Sequence, residues 1–115
     1  MGSYDINDND ELLRRVPKVL SHFNNEGITS AAFKPKTGED GLSVDILSLT
    51  TIENSIKDPN KFLAAIITVE NVIQEGCKCI HDPITDNYAH ALIKGVTRQI
   101  ARKFSKISIV KDLAK

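Results

Sequence analysis

Tryptophan is absent from this 115-residue chain, aromatic residues make up only 5% of it, and neither sign of charge is in excess. The scarcity of rings argues against a single-strand nucleic-acid platform, which stacks successive bases on aromatic side chains. Fifteen Lys and Arg against fifteen Asp and Glu leave no net field to gather a polyanion over the whole surface. Long apolar runs are missing too. The longest, Phe62 to Val69, is too short to cross a bilayer, and no secretory h-region precedes it. With only two cysteines, the expected setting is a reducing cytoplasm, without membrane contact. A glycine-rich phosphate loop, a zincin helix, a nucleophile elbow and carboxylates paired on one helix are all lacking, so no cofactor and no metal are expected.

What is present is ordinary globular material. Hydrophobic residues make up 41% and charged residues 26%, enough for one core and too little chain for two. The charge is uneven along the chain. Asp5, Asp8, Asp10 and Glu11 form an acidic head, while Lys94, Arg98, Arg102, Lys103, Lys106, Lys111 and Lys115 crowd the end. The expected organisation is a disordered leader over 1–9, a single α+β domain over 10–110 and a tail over 111–115.

The pattern predicts a helix from Asp10, with Leu12, Leu13, Val16, Val19, Leu20 and Phe23 at helical spacing and Pro17 starting or breaking it. Ile28 to Lys34 and Leu42 to Leu47 read as strands of a hairpin around Pro35 to Gly41. In the second of these, Leu42, Val44 and Ile46 face one way and Ser43 and Asp45 the other. Thr50-x-x-Glu53 is a capping box for a short helix ending at Asp58-Pro59. Residues 61–75 fit either one helix or a buried strand, Ala64 to Thr68, followed by a helix capped by Thr68 and closed by Gly76. The β-branched run Ile66 to Val69 favours the second. A second hairpin joins Cys77 to His81 with Tyr88 to Lys94, and Val96, Ile100, Phe104 and Ile107 stripe a final amphipathic helix. The fold expected is a mixed or antiparallel sheet of about five strands with that helix packed on it.

Candidate chemistry collects in the second hairpin. Cys77, Cys79 and His81 alternate onto one strand face, but the first and last lie about 13 Å apart along a straight strand, too far to share one ion. If His81 faces Tyr88, Cys79 faces His90, close enough for a thiol–imidazole pair. The competing reading makes these small buried thiols and hydrogen-bonded histidines under the C-terminal helix. Arg14-Arg15 suits a phosphate or carboxylate through the guanidinium fork, or a structural ion pair, and Asp45 suits an Arg partner. Arg98, Arg102, Lys103 and Lys106 offer a basic helix face for a nucleic-acid backbone.

Several pieces recur together: Leu13-Arg14-Arg15-Val16-Pro17, Ser30-Ala31-Ala32-Phe33-Lys34, Gly41-Leu42-Ser43-Val44-Asp45, Asp82-Pro83 and Asn87-Tyr88-Ala89-His90-Ala91-Leu92-Ile93-Lys94-Gly95. In this order they resemble a widespread group of small uncharacterised bacterial proteins without an assigned activity, over about residues 12–98. The resemblance implies a place among defence-associated or mobile gene neighbourhoods. It matches Arg14, Arg15, Ser30, Phe33, Ser43, Asp45, Asp82 and His90 to recurring motifs and leaves out Cys77, Cys79 and His81. It therefore points to Arg15, Ser43, Asp45 and His90 as a polar cluster for a ligand or partner. The expected function is a small non-enzymatic interaction protein acting with a larger protein partner, in a bacterial defence or toxin–antitoxin system. The alternatives are a nuclease or transferase using His90 with Arg15 and Asp45, and nucleic-acid binding through the basic helix.

Overall fold

The computed structural model describes residues 4–24, 27–35 and 41–114. Their elements run β1 (Glu11–Pro17), β2 (Phe23–Asn24), β3 (Gly27–Ile28), a 3-10 turn (Ser30–Phe33), β4 (Leu42–Ile46), α1 (Ile52–Ile56), β5 (Phe62–Thr68), α2 (Val69–Gln74), β6 (Lys78–His81), β7 (His90–Lys94), α3 (Arg98–Ile107) and β8 (Ile109–Lys111). Six strands form one antiparallel sheet in the order β6-β7-β4-β1-β5-β8, and β2 pairs with β3 separately. The chain is thus the small α+β domain expected, with the C-terminal helix packed on its sheet.

The helix expected from Asp10 is instead β1, a central strand of the sheet: it lies between β4 and β5 and pairs with β5 over all seven of its residues. Both of its faces are buried, Leu12 and Val16 on one side and Leu13 on the other. An apolar run buried on both faces has no period-2 signature, so its spacing could be mistaken for a helical one. The strand expected over Ile28 to Lys34 shortens to β3 and then coils into the 3-10 turn, which drops Ala32 and Phe33 into the core. Part of the proposed hairpin loop, 36–40, lies outside the described residues. The cap of α1 is Thr51 rather than Thr50, its hydroxyl accepting from the Asn54 N–H at 3.1 Å. The strand-then-helix reading of 61–75 holds: Thr68 and Asn71 form a reciprocal capping box at the junction, and Gly76 follows α2 at φ +80°.

One face of the sheet carries the main core. Leu12, Val16, Leu42, Val44, Ile46, Ala65, Ile67, Ala91 and Ile93 meet Phe33, Val72, Ala101 and Phe104 from the 3-10 turn, α2 and α3. The rings of Phe33 and Phe104 stack edge to face, 5.8 Å apart. Arg14 leaves β1 on this side and donates from Nε to the Ala32 carbonyl at 3.1 Å and from Nη1 to the Ser43 carbonyl at 2.9 Å, tying the turn to the sheet. The opposite face has a smaller cover, in which Ile56 of α1 lies over Leu13 and Ala64.

Both ends of the domain are drawn in. Within the leader expected to be disordered, Tyr4 and Ile6 pack against the main core, and the Tyr4 N–H donates to His81 Nδ1 at 2.8 Å. Where a tail was expected, Lys111 sits in β8, and Asp112 takes a hydrogen bond from Lys18 Nζ at 2.8 Å. Phe104→Ala removes the ring that closes the main core. It is expected to cost about 3–5 kcal/mol, read as a lower midpoint in urea denaturation followed by circular dichroism.

Candidate functional site

The register of the antiparallel sheet decides which polar side chains meet. Leu13 pairs with Asp45, and Asp45 pairs with His90. The β6–β7 register, with Ile80 opposite Leu92 and His81 opposite Ala91, places Asp82 next to His90 one step further on. Asp82, His90, Asp45 and Leu13 therefore form one cross-strand row on the less covered face. Arg15, two residues beyond Leu13, projects to the same side. Ser43 does so from β4.

The ladder between β1 and β4 is short, pairing Leu12 with Ile46 and Leu13 with Asp45. Beyond it lies a cleft of about 350 Å³ lined by Arg15, His22, Ser43, Asp45, Phe62 and His90, among others. Arg14 also reaches its wall, but its guanidinium is spent on the two carbonyls described above. The arginine pair is split by strand alternation and does not act as a joint fork.

Asp45 is only 4% exposed and is the anchor of the cluster. Its Oδ2 accepts from the Ser55 hydroxyl of α1, and its Oδ1 accepts from Asn87 Nδ2 of the β6–β7 loop at 2.8 Å. Arg15 Nη1 stands 3.5 Å from Oδ2 and donates to the Ser55 carbonyl at 3.0 Å. A buried carboxylate met by three donors is a satisfied anchor, its oxygens already occupied. His90, 8% exposed, is steered by Asp82: its Nδ1 lies 2.8 Å from the Asp82 carbonyl and 3.2 Å from the carboxylate. A carbonyl can only accept, so Nδ1 carries the proton and Nε2 is left as the nitrogen available to the cleft.

The thiol–imidazole pair does not form. Cys79 pairs with Ile93, and His90 projects from the opposite face of the sheet. The β6–β7 loop, residues 82–89, shifts the register by an odd number of positions from the one assumed, and an odd shift exchanges faces. Cys79 and the buried Cys77 join the apolar core, whereas Ile80 is 42% exposed on the other side. Burial, followed by the nearby Asp10 carboxylate, pushes the Cys79 thiol up to about 11, and burial with Glu75 raises Cys77. His81 lies between Tyr4 and Tyr88, its Nε2 2.7 Å from the Tyr88 carbonyl. Among the described residues no group of three His, Cys, Asp or Glu side chains is arranged to hold a metal ion.

The sequence reading groups Arg15, Ser43, Asp45 and His90, and all four line this cleft. It missed Ser55 and Asn87, which hold Asp45, and His22, a lone loop histidine with no motif around it. Arg98, Arg102, Lys103 and Lys106 line a shallow groove on the exposed side of α3, across the sheet from the cleft. Lys103 pairs there with Glu75 at 3.1 Å. Among the described residues no helix is long and apolar enough to cross a membrane. No family model, curated protein or solved structure matches the chain.

Two outcomes follow from these environments. Asp45→Ala leaves the Ser55 hydroxyl and the Asn87 amide without their acceptor and is expected to cost about 2 kcal/mol of stability, measured by urea denaturation. A thiol pushed up to about 11 has roughly one hundredth of the thiolate of an ordinary cysteine below both values. Iodoacetamide at mildly alkaline pH is therefore expected to label native Cys79 about a hundredfold more slowly than the urea-unfolded chain, with the difference shrinking as pH approaches 11.

Proposed function

We propose that this chain is a small binding protein that acts with a larger protein partner, and that the cleft around Arg15 and His90 is where an acidic group of the partner is held. The observation that carries this reading is the convergence of Arg15, Ser43 and His90 on one cleft around a carboxylate whose own hydrogen bonds are already satisfied. Such an arrangement orients donors and leaves no group primed as a nucleophile. The Arg15 side chain is 40% exposed, although its partner Asp45 is almost fully buried, so the guanidinium is open to a second acceptor. Of the residues matched to the resembling bacterial proteins, Arg15, Ser43, Asp45, Asp82 and His90 fall on this face, while Arg14 and Phe33 serve the main-core side. Those proteins supply the defence or toxin–antitoxin setting of the proposal.

A second reading rests on the steering of His90. A histidine with Nδ1 held by Asp82 and Nε2 toward a cleft is the arrangement a general base requires, so a small nuclease or transferase is the enzymatic alternative. The saturation of Asp45 weighs against it, because the second carboxylate is then unavailable for proton transfer.

Tagged chain expressed in its native host distinguishes the two. The wild type is expected to retain a stoichiometric protein partner, and Arg15→Glu to lose it while keeping its native circular dichroism spectrum. Equal retention of that partner by a folded Arg15→Glu variant would remove the cleft from the interface.

A further inference from the structure

The cleft has unspent hydrogen-bonding capacity on several sides. Both contacts of Arg15 use Nη1, and among the described residues nothing takes its Nε or Nη2. His90 is held through Nδ1, and His22 meets the Ser21 hydroxyl through Nδ1 at 3.0 Å; neither Nε2 has a partner among the described residues. The Ser43 hydroxyl is likewise without one. These groups arrive from four places in the chain: β1, the loop after it, β4 and β7. All four residues line the same 350 Å³ space.

We propose that this cleft is a binding site for a phosphoryl group. The inference rests on reading the cleft as the binding site of the chain, and it names the ligand chemistry. A planar carboxylate offers two oxygens and is satisfied by a single guanidinium fork. A phosphoryl group presents three terminal oxygens in a tetrahedral array and draws donors from different directions. Arg15, Ser43 and the imidazoles of His22 and His90 surround the space in that way, His90 donating from Nε2 as the imidazolium because its Nδ1 proton is already given to Asp82, whereas the lone available fork of Arg15 would leave the other groups idle around a carboxylate. The volume is at the low end of ordinary ligand sites, enough for a phosphorylated small group or the phosphorylated side chain of a partner. Asp45 opposes an anion least when its charge is matched by Arg15 and its oxygens are filled by Ser55 and Asn87, which is the arrangement present.

The chain carries an internal control. It has three histidines; His22 and His90 line the cleft, while His81 sits between Tyr4 and Tyr88 with both ring nitrogens occupied. Inorganic phosphate is titrated into the full chain near neutral pH, at constant pH and ionic strength, and the imidazole carbon-bound protons are followed by NMR. Acetate is the planar comparator. Saturable shifts at His22 and His90 with phosphate, a still His81, and no saturation with acetate are expected. Arg15→Gln is expected to weaken phosphate binding about tenfold, and Ser43→Ala severalfold, which serves if the arginine variant does not fold. Three histidines that shift alike, no saturable shift, or acetate binding equal to phosphate would overturn the proposal. The titration uses the chain alone. A partner lost on Arg15→Glu with no phosphate site found would leave the binding-protein reading standing and remove only the phosphoryl assignment.

Discussion

The less covered face of the sheet is organised around the carboxylate of Asp45. It lies in the middle of β4 and joins three elements distant in sequence: α1 through Ser55, the β6–β7 loop through Asn87, and β1 through Arg15. A buried charge without such partners would be strongly unfavourable, so the three donors and the carboxylate hold one another in place. The short α1 thereby keeps its position over Leu13 and Ala64, and Arg15 keeps its orientation at the mouth of the cleft.

The two arginines of β1 show how one strand serves both sides of the sheet. Arg14 points toward the main core and bonds to carbonyls of the 3-10 turn and β4. Arg15 points the other way, to Asp45 and solvent. Adjacent in sequence, the two have separate surroundings, one tying the turn to the sheet and the other half-exposed beside Asp45. His90 completes the division: its neighbour Ala91 is buried in the apolar core, while its own ring is steered by Asp82 into the cleft.

Much of the architecture was legible from residue patterns. β4 alternates Leu42, Val44 and Ile46 against Ser43 and Asp45, so its two faces could be assigned directly. Thr68, with the β-branched residues before it, marked the change from β5 to α2, and the stripe through Ile100 and Phe104 marked α3. β1 was not legible. A central strand buried on both faces offers no alternation, and its leucines and valine match a helix as well as a strand. β8 was hidden in the same way by its length of three residues and its exposure.

For the site, sequence alone determined the residue types and, through strand alternation, that Ser43 and Asp45 share a face. The expected resemblance pointed further, to Arg15 and His90. Only the tertiary structure decided what those residues meet. The β6–β7 register separates Cys79 from His90 and sets Asp82 beside His90 instead, because an odd shift moves every side chain to the other face. The gap beyond the short β1–β4 ladder, and the arrival of Ser55, Asn87 and His22 from distant segments, depend on long-range packing that no local pattern encodes.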